Sequence, residues 1–336
     1  MVGRRGRANV FSDYNECLMR MLGVLLVLFY SSVLFAAYPD EYPGYLRLLG
    51  FSKDEIRDLQ DGSVLIHSLK KLKPGESGIT AAKVFDVPAY FIRDYFSYIE
   101  NFRSLQDFQA VGKFAAEPLL QDLAPLTFDQ DELGEFGACK ESCRLNLTDE
   151  EKAGIQKSPD QSLFYRTILL NRLHEYRKRG DHTGSYLEDF DHLSAYFPEV
   201  LTYLSRYPES RNPRTLDFFY WGKERIGKTR TIQIRHVFAQ KIGDDFVVVN
   251  HLVYSNHSIK ASAAVLHLIN YVDSGFPRTL LVYRGKNSID PEIGSTYRQD
   301  KRIFSAFRTA GEELENRYLS SAYPGFPYGL KPTDQR

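Results

Sequence analysis

The last third of the chain constrains the fold most. Four segments, Thr229 to Lys241, Asp245 to Ser258, Ser262 to Val272 and Thr279 to Lys286, are rich in β-branched and aromatic residues, and Gly243-Asp244 and Ser274-Gly275 supply turns between them. Strands joined by so few residues run antiparallel, because a parallel pair needs a crossover of about a dozen residues or more. A late antiparallel sheet is therefore expected. A helix over Gln299 to Leu319 follows it, with Ile303, Phe304, Phe307, Leu314 and Leu319 on its inner side.

Earlier segments complete the plan. Ser52 and Glu55 have capping-box spacing and open a short helix that Asp61-Gly62 terminates. Ser63 to Leu72 and Ile79 to Val87 read as strands, Ala89 to Phe102 as a helix with an aromatic face, and Phe108 to Phe114 as another strand. From Pro118 to Pro208 helices dominate: Asp129 to Phe136, a segment opened by Thr148 with Glu151, Gln161 to Arg179, and Phe190 to Tyr207. The expected organisation is one α+β domain in two parts, 38–117 and 213–322, interrupted by a helical insertion over 118–212, with a loose tail over 323–336. That order suits a curved antiparallel sheet gripping the long C-terminal helix, with an apolar cavity between them. Aromatic residues at 14%, carried by 22 Tyr and 23 Phe, suit a cavity lined with rings.

Residues 1–37 are read as an upstream segment and signal peptide. The apolar run from Leu22 to Phe35 follows Arg20 and precedes Ala36-Ala37, and it is short for a membrane span. Export to a periplasmic or extracellular space is expected, with no membrane span after cleavage. Equal numbers of basic and acidic residues, 43 each, argue against a polyanion binder, so no nucleic-acid partner is expected. In an oxidising compartment Cys139 and Cys143 read as one disulfide. Their CKESC spacing fits neither haem attachment nor a zinc site, and no cofactor is expected.

Three clusters carry candidate chemistry. In the segment from His251 to His257, strict strand alternation puts both histidines on one face, and His236 on the preceding strand can join them. His236, His251 and His257 are candidate metal ligands, and His236 or His257, with Tyr254, a candidate catalytic set. Arg284, Lys286 and Arg302 form a candidate cationic rim, and Tyr95 and Phe307 candidate apolar contacts, for a hydrophobic or amphiphilic small molecule. Gly222 to Thr229, within WGKERIGKT, has the spacing of a phosphate-binding loop. The alternation after Thr229 is that of a strand where such a loop requires a helix, so nucleotide hydrolysis is not expected.

Ala110 to Phe114, Asp122-Leu123, the segment from Leu126 to Cys143, His236, the run from His251 to Ser262 and the run from Leu280 to Asp290 together resemble a family of uncharacterised exported bacterial proteins. Gly78 to Phe114, with the late strands and final helix, also resembles the START-type helix-grip domains. That second resemblance implies a central cavity for lipids, sterols or polyketide-like ligands. The leading expectation is an exported protein that binds an apolar or amphiphilic, lipid-like ligand between sheet and C-terminal helix, with catalysis left open. The alternatives are an envelope hydrolase or metal-dependent enzyme using the histidines, and a protein-interaction module built on the helical residues.

Overall fold

Tight turns make the late strands neighbours, and the rest of the architecture is built on that meander. The computed structural model describes residues 41–70, 72, 74–99, 101, 108–139, 145–180, 202–203, 206–210, 216–226, 229–257, 259–273, 275–289 and 299–322. Along them run α1 Glu41–Leu48, α2 Lys53–Gln60, β1 Leu65–Ser68, β2 Glu76–Phe85, α3 Ala89–Tyr95, β3 Phe108–Lys113, α4 Gln130–Gly137, α5 Asp149–Lys157, α6 Gln161–Arg179, β4 Leu216–Ile226, β5 Thr229–Ile242, β6 Asp245–Ser255, β7 Ile259–Asp273, β8 Phe276–Ile289 and α7 Gln299–Ala322. The signal-peptide residues, Cys143, most of the helix expected over Phe190 to Tyr207 and the 323–336 tail lie outside the described residues.

Two compact units divide the chain, Met1–Ile56 and Arg57–Arg336. In the first, the expected capping box is present: the Ser52 amide donates to the Glu55 carboxylate at 2.8 Å, and the Glu55 amide to the Ser52 hydroxyl at 3.3 Å.

In the second unit eight strands form one open antiparallel sheet, in the order β1-β2-β8-β7-β6-β5-β4-β3. Strands β4 to β8 are each hydrogen-bonded to the next. Ile242 pairs with Asp245 across a two-residue turn, which Gly243 enters at φ 61°, a conformation glycine adopts without steric cost. β2 returns from early in the chain to pair with β8, from Glu76 opposite Ser288 to Phe85 opposite Thr279. At the far edge β3 pairs with β4, and Gly112 there lies opposite Trp221. A Cβ on Gly112 would stand 2.6 Å from the indole, so the fully buried Trp221 ring occupies the space a side chain would need.

An antiparallel sheet can leave one face in water, but this one leaves neither. On one face Phe136, Ile155, Tyr165, Leu169 and Leu173 from α4, α5 and α6 pack with Phe219, Trp221, Ile234, Phe238, Val247 and Val249 of the strands. On the other, Ile92 of α3 and Phe307, Ala310 and Leu314 of α7 pack with Phe85, Val237, Val248, Leu266 and Leu281. Roughly 1.5–3 kcal/mol per fully buried large apolar side chain drives both layers together.

The helix-grip expectation is corrected accordingly. The sheet is open, seven helices are spread along the described residues, and α7 shares its face with α3. The physical reason lies in β4, β5 and β6, where apolar residues fill successive positions such as Phe218-Phe219 and Val247-Val248-Val249, so both faces require cover. The helices between residues 118 and 212 supply the second cover and share its core. β4 itself occupies a stretch where no strand was expected. α3 ends at Tyr95, earlier than the expected Phe102, and Phe304 of α7 points outward. Among the described residues no helix is long and apolar enough to cross a membrane.

Candidate functional site

A cavity of about 120 Å³ lies between the sheet and the α3–α7 layer. Its floor is made by alternate residues of adjacent strands: Val237 of β5, Val248 of β6, Leu266 of β7 and Leu281 of β8. Its roof is Ile92 of α3 with Phe307, Ala310 and Leu314 of α7. Phe307 is held by edge contacts to Phe85 at 6.3 Å and to Tyr283 at 6.2 Å between ring centroids.

One end of the cavity is polar, lined by Glu224, Arg235, Asn250, Ser262, Asn287 and Arg302. Arg235 stands at its centre with 8% of its surface exposed. A guanidinium has five N–H donors, and three are engaged: Nε to Gln233 Oε1 at 2.7 Å, Nη1 to Asn250 Oδ1 at 3.3 Å and Nη2 to Ser262 Oγ at 3.0 Å. All three acceptors are neutral. Glu224 accepts from Arg302 Nη2 at 2.7 Å and also from the Gln233 amide. Among the described residues that line it, two cations and one carboxylate give an excess of one positive charge. Asn250 Nδ2 in turn donates to the Tyr220 hydroxyl at 3.0 Å. Burial pushes the Tyr220 phenol up to about 12, against the pull of Arg235, so this ring is neutral at pH 7.

The residues anticipated from sequence divide between places. Arg302 and Phe307 line the cavity. Tyr95 does not; its hydroxyl donates to Glu313 at 2.8 Å and braces α3 against α7. Arg284 and Lys286 correct the expected rim. On β8 the cavity takes Leu281, Tyr283 and Asn287, so the even-numbered residues face the other way. There Lys286 pairs with Glu76 at 3.2 Å, both side chains being buried. Arg235, Gln233, Asn250 and Ser262 were not anticipated. Their signal was Gln233 and Arg235 alternating with Ile232 and Ile234, two polar residues spaced to share one face of the strand.

His236 and His251 are brought together as direct partners across β5 and β6. His257 is not. Between Tyr254 and Leu252 the β6 register shifts by one residue, which breaks the alternation assumed for His251 and His257. His257 instead sits 3.2 Å from Glu135. His236 is 0% exposed; its Nδ1 is 2.9 Å from the Tyr176 hydroxyl and its Nε2 3.0 Å from Asp217, which also accepts from Tyr203 at 2.6 Å. Phe219 stacks on the ring at 4.5 Å. A general base must come within hydrogen-bond reach of a substrate proton, and this imidazole is enclosed by its own partners. Tyr254 donates to the Asn146 carbonyl at 2.9 Å, and burial pushes it up to about 12. Among the described residues no three His, Cys, Asp or Glu side chains are placed to hold a metal ion.

Cys139 is buried in the helical layer, and the expected pairing with Cys143 falls partly outside the described residues. The phosphate-loop spacing is explained by a hairpin: Gly222 lies within β4 and Thr229 opens β5, so a strand stands where a nucleotide-binding loop has its helix. No protein-family model matches the chain, and no curated protein matches it.

Proposed function

We propose that the second unit binds a small amphiphilic molecule, holding its apolar part in the cavity between the sheet and α7, and that the chain works as an exported carrier or sensor of that molecule. The observation that carries this reading is the cavity's division into an apolar floor and roof, Val237, Val248, Leu266 and Leu314, and a single polar end. Ligand sites are typically apolar concavities with a few convergent polar groups.

Size narrows the class. An apolar cavity of roughly 150 Å³ accommodates a benzene-sized molecule, and this one is about 120 Å³. The apolar part is therefore a short alkyl chain or a single ring, well below a sterol or a two-chain lipid. The export reading rests on the apolar run from Leu22 to Phe35 and its flanking residues.

Calorimetric titration of the purified chain with 1-hexanol and with cyclohexylmethanol tests the proposal. Saturable binding with a negative heat-capacity change, abolished when Ala264→Leu fills the cavity floor, is the expected result. No saturable binding of these alcohols or of a charged analogue of the same chain length, or binding that Ala264→Leu leaves untouched, would overturn it.

A further inference from the structure

We infer that the molecule held in the cavity bears a single carboxylate and that Arg235 receives it. This inference rests on the cavity reading above and adds the identity of the head group.

The sheet itself provides the comparison. Three basic residues on its strands are buried, and two of them face the other side with a carboxylate of their own: Lys223 with Glu132 at 2.6 Å, and Lys286 with Glu76 at 3.2 Å. Arg302, on the helix above, has Glu224 at 2.7 Å. Arg235 is the exception among the described residues. Its three engaged donors meet an amide oxygen, a second amide oxygen and a hydroxyl. An ion taken from water into a protein interior loses several kcal/mol of solvation unless an opposite charge restores it. Among the described residues, the one buried Lys or Arg of the sheet without a carboxylate partner is also the one that opens onto the cavity.

The arrangement selects the charge and the shape of the head group. Among the described lining residues the excess is one positive charge, which a monoanion neutralises. A dianionic phosphate monoester would overshoot, and an ammonium would add a second uncompensated cation. Gln233, Asn250 and Ser262 hold the guanidinium by Nε, Nη1 and Nη2. Two of its five N–H groups remain, the number a carboxylate can accept. Val237 follows Arg235 on the same strand face, roughly 7 Å along at 3.3–3.4 Å per residue. From there Val248, Leu266 and Phe307 continue the apolar path, so a head on Arg235 places a six-carbon body over the floor.

The test is a calorimetric titration of the purified chain at pH 7 with three six-carbon probes: hexanoate, 1-hexanol and hexylamine. The expected order is hexanoate tightest by roughly tenfold or more over 1-hexanol, with hexylamine weakest. Arg235→Met is expected to keep 1-hexanol binding and bring the acid-to-alcohol ratio down to about one. Equal affinities for acid and alcohol in the wild-type chain, or a preference that survives Arg235→Met, would overturn the head-group assignment and leave the cavity reading standing. No binding of any of the three would remove the cavity reading itself. A measurement on the unmodified chain serves if the variant does not fold: the carbon-13 shift of carboxyl-labelled hexanoate, followed against pH. A bound carboxyl that protonates well below the free acid supports contact with Arg235, and an unshifted or raised one overturns it.

Discussion

The Arg302 guanidinium on α7 donates to the Glu224 carboxylate on β4 at 2.7 Å, so the first turn of the last helix is tied to the sheet at the polar end of the cavity. The pair is unequal, since Glu224 is almost fully buried while Arg302 keeps about a fifth of its side chain in water. Its loss therefore falls on the carboxylate.

Arg302→Ala is expected to destabilise the chain by about 2–3 kcal/mol, below the roughly 3–5 kcal/mol seen when a fully buried pair loses one partner. Glu224→Gln in the same background should recover about half of that, because the buried charge is removed along with its missing partner. Urea unfolding of the two variants measures both. Equal stability of Arg302→Ala and wild type would show that the pair holds nothing.

Lys223 and Glu132 form a second buried pair at 2.6 Å, and Lys223 also donates to the Thr127 carbonyl at 2.8 Å, joining β4 to α4. Glu132→Leu alone should cost about 3–5 kcal/mol. The double variant Lys223→Met with Glu132→Leu should return to within about 1 kcal/mol of wild type, as apolar replacements of buried pairs commonly do. Denaturation midpoints of the four-member cycle read the coupling.

Gly112→Ala should be destabilising by about 1–3 kcal/mol through overpacking, because its Cβ would press on the Trp221 ring. The chain has a single Trp, which donates from its indole to the Asp122 carbonyl at 2.9 Å. A change in the near-ultraviolet circular dichroism of that one indole is therefore the expected readout, and an unchanged spectrum at unchanged stability would contradict the packing.

Tyr220 and Tyr254 are both pushed up to about 12 by burial, from an ordinary value of 10. The native state holds these protons more tightly than the unfolded chain, so the stability they contribute is complete below pH 10 and is lost as pH rises from 10 through 12. Ultraviolet titration of the native chain should show these phenols ionising after the exposed ones, coincident with alkaline unfolding. Full phenolate formation by pH 11 in a chain that is still folded would refute the burial.

Many elements of this fold were legible in the sequence, although their arrangement was not. The helix Gln161–Arg179 and the start of α7 at Gln299 coincide with expectation, and the strands β5 to β8 differ from it by a few residues at their ends. Apolar periodicity and turn residues are local, and they fix elements. What they do not fix is which face of an element meets which neighbour. Arg284 and Lys286 end a strand close in sequence to Arg302, which suggests a shared rim, but β8 is apolar on both faces and alternation alone names two sets without saying which set looks inward. The histidines failed differently, because one unpaired residue between Leu252 and Tyr254 shifts the alternation. β4 was concealed by Lys223, Glu224 and Arg225, three charges in a row. Lys223 and Glu224 are buried because each finds an opposite charge, on α4 and on α7 respectively. A strand made acceptable by partners 78 and 91 residues away carries no local signature.

The pairing of β2 with β8 also sets an order of assembly. Strands β4 to β8 can zip from one hairpin to the next over short loops, each closure being entropically cheap. β2 must wait for the far end of the chain, since Glu76 meets Ser288 and Phe85 meets Thr279. During synthesis the early strand emerges long before its partner exists. The cavity, whose floor includes Leu281 of β8 and whose roof includes α7, comes into being only after synthesis has passed α7, so a chain truncated or stalled before that helix has no binding site to occupy.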